Sequence, residues 1–339
     1  MDIRNRKAVC TAASDALDIN PGNPRLVVLI FTAINTAAAL LLSVLLLILD
    51  NRISQTGGLG NLGLRSILST IRMVLPLAYV VSLHCVQLGY QNAALRMTRR
   101  HPALPRDLLE GFACFGPLMR SLILLGGLYL MLALFAAHAA SVIFLLTPLA
   151  EDFKVLTAPL LEDPYAFAET VYSDVDLFMQ VGETLQPAIP LFLAIFLLVA
   201  APFFYQYRMT NYCILDNPRK GAMAAMAESI QMMRHNRISL LKLDLRFWWF
   251  YLGQAAATAL VYIETPLAQS GLLGFLSPMA IHYVCYTLSL ILQGILCYFF
   301  MNRVETTYAT VYEILRPKPQ PSKGAVLGNI FDLARDYHE

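Results

Sequence analysis

Arg72 and Arg120 each interrupt a long apolar stretch. A lone charge at the centre of a bilayer costs roughly 3 kcal/mol, so an ionisable residue in such a stretch is a candidate for lining a substrate or ion path. Both arginines also lie close enough to an end of their stretch to snorkel to headgroups, and the inward-facing and snorkelling roles both stay open. His84, His138 and His282 share no face by spacing, which implies hydrogen-bonded packing rather than a metal site. Asp174 and Asp176 are spaced like the opening of a calcium loop, without the glycine and terminal glutamate that such a loop requires. Gly58, Gly60 and Gly63 spell GxGxxG but follow no strand, so they read as a linker rather than a phosphate cradle. HExxH, GxSxG and GxxxxGK[ST] do not occur. The acids Glu228 and Asp244 have no carboxylate partner at a spacing that would make an acid/base pair. A non-enzyme that needs no cofactor and no metal is the resulting expectation.

The chain that must position these groups has 339 residues, of which 57% are apolar and 14% charged, with mean hydropathy +0.56. Soluble domains carry about 25% charged residues, so that class is excluded. A net charge of +2 gives no global pull toward nucleic acid. Six scattered cysteines with no CxxC pair suggest neither a disulfide scaffold nor a zinc site.

A crossing helix needs about 20 mostly apolar residues. Six segments qualify: 26–49, 66–90, 117–146, 187–207, 245–263 and 278–301. The second is the weakest, because Arg72, Pro76 and His84 interrupt it. Basic residues decide in its favour. Twenty lysines and arginines, counting Arg246 at the entry of the fifth segment, fall before the first segment, between the second and third, between the fourth and fifth, and after the sixth. Only Arg52, Arg65 and Lys154 occupy the opposite loops. Such asymmetry marks the cytoplasmic side, so the reading is an all-α, polytopic transmembrane helical bundle of six spans with both termini cytoplasmic. Residues 1–25 form a cytoplasmic lead, 26–315 the membrane domain, and 316–339 a Pro-rich cytoplasmic tail.

The external loop 147–186 carries eight acids against Lys154. It would raise the local concentration of cations or of a basic partner, although disfavoured translocation of lysine and arginine produces the same composition. Between the fourth and fifth spans, Asp216-Asn217-Pro218 signals a turn and 219–237 reads as an amphipathic helix. Met223, Met226, Ile230 and Met233 form its apolar stripe, and basic residues bracket both ends. A helix of this kind lies on the membrane or on its own bundle, and its methionines would also suit an adaptable partner surface. Small residues at four-residue spacing, Ala133-Ala137-Ser141 and Gly253-Ala257, allow close helix approach.

The stretch 207–253 resembles the signature of the bacterial integral membrane family called domain of unknown function 975. The residues that carry the likeness include Asp216, Asn217, Pro218, Ala227, Ser229, Met233, Asn236, Asp244, Phe247 and Trp249. His235 and Arg246 depart from that pattern, where glycine and serine are usual. The segments 95–122 and 308–315 are similar to the family's first cytoplasmic loop and its aromatic close. The resemblance implies a multi-pass protein of a bacterial inner membrane and no established activity. A non-catalytic protein that binds a membrane or cytoplasmic partner through 219–237, or organises the lipid bilayer, is one expectation. A carrier for a small solute or lipid that uses inward-facing Arg72 and Arg120 is the other.

Overall fold

The structure, a computed structural model, describes residues 3–56, 62–158, 175–263 and 278–316, and every element among them is helical. The GxGxxG glycines 58 and 60, the acids from Glu162 to Asp174, and the tail beyond 316 lie outside the described residues. Helix α1 (Arg6–Asp18) begins where the Asn5 side chain accepts from the Ala8 amide. Asn23 caps α2 (Pro24–Gln55) in the same way, with Pro24 in the first turn where a missing N–H is harmless. Then come α3 (Leu62–Thr98), α4 (Asp107–Ala113), α5 (Phe115–Leu146), α6 (Glu151–Thr157), α7 (Val175–Leu185), α8 (Ala188–Tyr207) and α9 (Thr210–Asp216). After a short turn follow α10 (Ala222–Met233), α11 (Arg237–Asp244), α12 (Trp248–Ala259) and α13 (Pro278–Leu296). A π-helical segment, Cys297–Met301, leads into α14 (Asn302–Leu315).

Five helical stretches are long and apolar enough to cross a membrane: Pro24–Gln55, Gly63–Thr98, Phe115–Leu146, Ala188–Asp216 and Ala280–Leu315. The expected span 245–263 is not among them. Its regular part, α12, has 12 residues, and more tightly wound turns at Leu245–Phe247 and Leu260–Ile263 flank it. The doubtful second span is a continuous helix with Pro76 inside it.

These helices are longer than a bilayer requires. With 37 residues, α3 is roughly 55 Å long at 1.5 Å per residue, against ~30 Å of hydrocarbon. The excess gathers at the end of the bundle that carries most of the lysines and arginines, here called the basic end. From Gly63 to His84, α3 is exposed or half-buried, whereas from Cys85 to Met97 most of its residues are buried. Every residue of α14 from Val304 to Tyr312 is buried. A helix enclosed on all sides is a core helix, and α3 and α14 form that core, with α1, α2, α4 and α9 packed around them. By contrast, no crossing stretch has more than 17% of its most apolar window buried. In that half, α5 pairs with α8, and α2, α3, α12 and α13 form a second group.

One contact in the core is main chain on main chain. A Cβ on Gly111 would stand 1.9 Å from the Cys85 carbonyl oxygen, and one on Gly89 would stand 2.0 Å from that of Leu108. Only glycine at both positions lets α4 lie this close to α3.

The expected helix 219–237 needs two corrections. It divides into α10 and α11, because the Asn236 side chain donates to the Met232 carbonyl at 2.9 Å and its own carbonyl accepts from Leu240, ending one helix and starting the next. Its buried face is also rotated from the Met223-Met226-Ile230-Met233 stripe. Ala222, Ala225, Ser229, Met232 and Met233 face the bundle, while Met223 is 68% exposed. The small-residue seam of α5 is displaced likewise, running through Ala136, Ala140 and Phe144. At Gly253 and Ala257 the expected close approach holds, with α13 as the neighbour through Leu296.

Candidate functional site

The polar residues of the basic end converge on the break between α8 and α9. A helix that breaks leaves backbone groups open, and Ser229 of α10 closes two of them. Its hydroxyl accepts from the Met209 amide at 3.2 Å and donates to the Gln206 carbonyl at 2.9 Å. This explains why the Ser229 face of α10, rather than the methionine stripe, turns inward. We expect Ser229→Ala to cost about 1–3 kcal/mol, the penalty of a buried amide left without an acceptor, read as a lower unfolding midpoint in detergent.

The break turns Arg208 toward the core. Its guanidinium carbon lies 4.3 Å from the centre of the Tyr308 ring and 5.2 Å from that of Phe204, a cation held by aromatic faces. Two carboxylates lie around this charge. Asp244, the last residue of α11, accepts from the Tyr205 hydroxyl at 2.8 Å and from the Tyr308 hydroxyl, which also shares a 2.7 Å hydrogen bond with Tyr251. Burial pushes the Asp244 carboxyl above its ordinary value, while the Tyr308 and Tyr205 hydroxyls and the Arg208 charge draw it back. Glu305, 7% exposed, accepts from Tyr212 and from the Gln87 amide, each at 3.1 Å. Around the carboxylates, Tyr90 donates to the Asn302 side-chain oxygen at 2.6 Å. Asn302 in turn donates to the Pro24 carbonyl at 3.0 Å, and Asn211 donates to Gln91 at 3.0 Å. The cluster thus ties α2, α3, α8, α9, α11 and α14 together through hydrogen bonds to charged or amide groups, and α12 through the Tyr251–Tyr308 hydroxyl pair.

A second, more exposed network closes the Asp216-Asn217-Pro218 turn. Asp216 binds Arg99 at 2.7 Å and Arg316 at 2.9 Å, and Arg99 also reaches Glu313 at 2.6 Å. Asn217 ends α9, its amide donating to Cys213, and Pro218 opens the next short turn, as a helix stop requires. Lys220 pairs with Glu228 across that turn. Asp216 is 17% exposed and its two arginine partners 30–37%, so solvent screens the pairs. Asp216→Asn is expected to cost about 1 kcal/mol, and the loss should shrink in high salt when unfolding is followed at two salt concentrations.

The remaining signature residues are structural neighbours of these networks. Met233 is fully buried, and Trp249 meets Phe300 edge to face at 4.2 Å. Arg72 and Arg120 are not brought together. Arg72 is exposed and pairs with Asp50 of α2, whereas Arg120 is exposed near the start of α5 at the basic end. Spacing overlooked the tyrosine cluster. Tyr90-Gln91, Tyr205-Gln206 and Asn302 sit at the ends of three apolar stretches, where aromatic and amide residues are also what a membrane interface prefers. Among the described residues, no group of three or more His, Cys, Asp or Glu side chains could hold a metal ion.

The model of a family described as a protein of unknown function, DUF975, matches residues 1–318. That range takes in the acidic loop and stops within the Pro-rich segment after α14. No curated protein and no solved structure matches the chain.

Proposed function

The chain belongs to the DUF975 family, and from that premise we propose that it is a non-catalytic, six-crossing membrane protein that works by binding. Its basic end faces the cytoplasm, α12 with its flanking turns makes the remaining crossing, and the open helix flanks order lipid or a neighbouring membrane protein. The contrast in burial carries this reading. A solid polar core holds the basic end, while no crossing stretch has more than 17% of its apolar window buried. Flanks so open must be covered by acyl chains or by other helices, because apolar helices without such cover are not stable in water. The core's carboxylates are occupied by tyrosine and amide donors, an arrangement that stabilises rather than turns over a substrate.

Reporter tags at residues 1 and 339 should be protected together in intact cells, whereas five crossings would separate them. A membrane-impermeant thiol reagent should label Arg219→Cys only after permeabilisation. A photo-crosslinker in place of Leu198, 77% exposed on α8, should capture the same lipid class or membrane polypeptide in independent preparations. Capture that does not reproduce would overturn the binding role.

A further inference from the structure

Arginines at the basic end divide into two kinds. Arg96, Arg99 and Arg316 have carboxylate partners within 3.2 Å. Among the described residues Arg246 and Arg303 have none, and both line one cleft of about 140 Å³ with Cys10, Trp249, Phe300 and Thr307. The cleft lies between α1 and the start of α12, where the π-helical segment passes into α14. Both guanidinium groups act on the same point. Burial raises the Cys10 thiol, and the Arg246 and Arg303 charges are the two effects that oppose it. A second cleft beside the first, sharing Arg246, is lined by Arg4, Arg6, Lys7 and Lys242.

The chain on either side of the residues that line this positive pocket is apolar and open. Leu245, Trp248 and Leu252 are 60%, 58% and 58% exposed, and Phe299, next to Phe300, is 63% exposed. Two unpaired guanidinium groups beside Trp249, 38% exposed, and the half-buried Phe300 form a site with a polar and an apolar half. The aromatic residues belong at the level of the headgroups. Arginine forks match phosphate oxygens in pairs, and basic pockets between membrane helices take anionic headgroups.

We propose that the cleft where Arg246 and Arg303 converge binds the phosphate of an anionic phospholipid, whose acyl chains run along the exposed Leu245, Trp248 and Leu252. The site goes beyond the general binding role of the open helix flanks, having its own ligand and its own two residues.

The test uses the full chain in mild detergent, with native mass spectrometry of retained lipid and thermal unfolding in mixed micelles. Phosphatidylglycerol, phosphatidylcholine and inorganic phosphate are the probes. The wild type should retain and be stabilised by phosphatidylglycerol. The double substitution Arg246→Gln with Arg303→Gln should lower its affinity about tenfold or more, the loss of charge-assisted phosphate contacts. Arg234→Gln, an exposed arginine away from the cleft, should bind as the wild type does, and the double Lys variant should recover part of the affinity. Equal unfolding midpoints of wild type and double Gln variant without lipid establish that folding is intact. If the double Gln variant is already less stable, the double Lys variant alone carries the comparison. Undiminished phosphatidylglycerol binding in the double Gln variant would overturn the proposal, as would equal retention of phosphatidylcholine. Equal stabilisation by inorganic phosphate would also overturn it, assigning the cleft to a soluble phosphate instead. Crosslinking from Leu198 is unaffected by these variants, so failure here is distinguishable from failure of the binding role at the helix flanks.

Discussion

Arg208→Met is expected to destabilise the protein by about 3 kcal/mol, the low end for removing a charge from a buried set, because it leaves the buried Glu305 and the half-buried Asp244 without the nearby cation. Methionine fills much of the same volume and keeps its contact with the Tyr308 and Phe204 rings, so the loss reads out charge rather than a cavity. Thermal unfolding in detergent and the yield of monodisperse protein are the measurements. Glu305→Gln in the Arg208→Met background should restore most of the stability. Glutamine still offers an oxygen to Tyr212, removes one charge, and leaves Asp244 with its two tyrosine donors. A double variant no more stable than the single one would show that the Glu305 charge is not what Arg208 offsets.

Gly111→Ala is the second large effect. Overpacking a filled core costs about 1–3 kcal/mol and occasionally more, and the upper end applies here because the obstacle is backbone. The added methyl would meet the Cys85 carbonyl and the Gly89 amide nitrogen at 1.9 and 2.6 Å, neither of which can rotate aside. Either α4 lifts away from α3, loosening the half-buried Arg96–Asp107 pair beside it, or α3 bends. Gly126→Ala on α5 is the control, since nothing lies within 4 Å of its added Cβ, and its effect should stay within about 1 kcal/mol, the scale of helix propensity. Hydrogen exchange of the α4 amides should rise in the first variant and not in the second.

Much of the architecture was legible in the sequence for a simple reason. Length and hydropathy report directly on crossing helices, and the arginine count carried the segment containing Arg72, Pro76 and His84, which is a continuous helix. The 245–263 segment was harder to read, because apolar composition does not distinguish α-helical from tighter turns, and its regular helix is only 12 residues long. The candidate site was legible only as a set of names. Asp216 was legible as part of a turn, whereas Ser229, Asp244 and Trp249 came from a family likeness with no geometry attached. Their roles depend on contacts between residues distant in the chain, such as Tyr308 with Asp244 or Arg99 with Asp216, which local periodicity does not encode. The methionine stripe misled for a related reason. Periodicity ranks faces by hydrophobicity, whereas α10 turned the face whose serine could satisfy the open amide of Met209. Tyr90, Gln91 and Glu305 were passed over because their position beside apolar stretches matches what interfacial residues look like.

The π-helical segment Cys297–Met301 has a consequence of its own. Each residue of a regular helix advances the direction of its side chain by about 100°, and a wider turn adds one residue without adding a corresponding step along the axis. It therefore sets the angular phase between α13, which presents one side to the apolar layer, and α14, which is enclosed. Closing the same five residues into regular α-helical turns would swing every later side chain around the helix axis. Asn302 would leave Tyr90, and Tyr308 would leave Asp244, with no change in composition. The winding of this joint is thus as much a determinant of the fold as the identity of any residue in it.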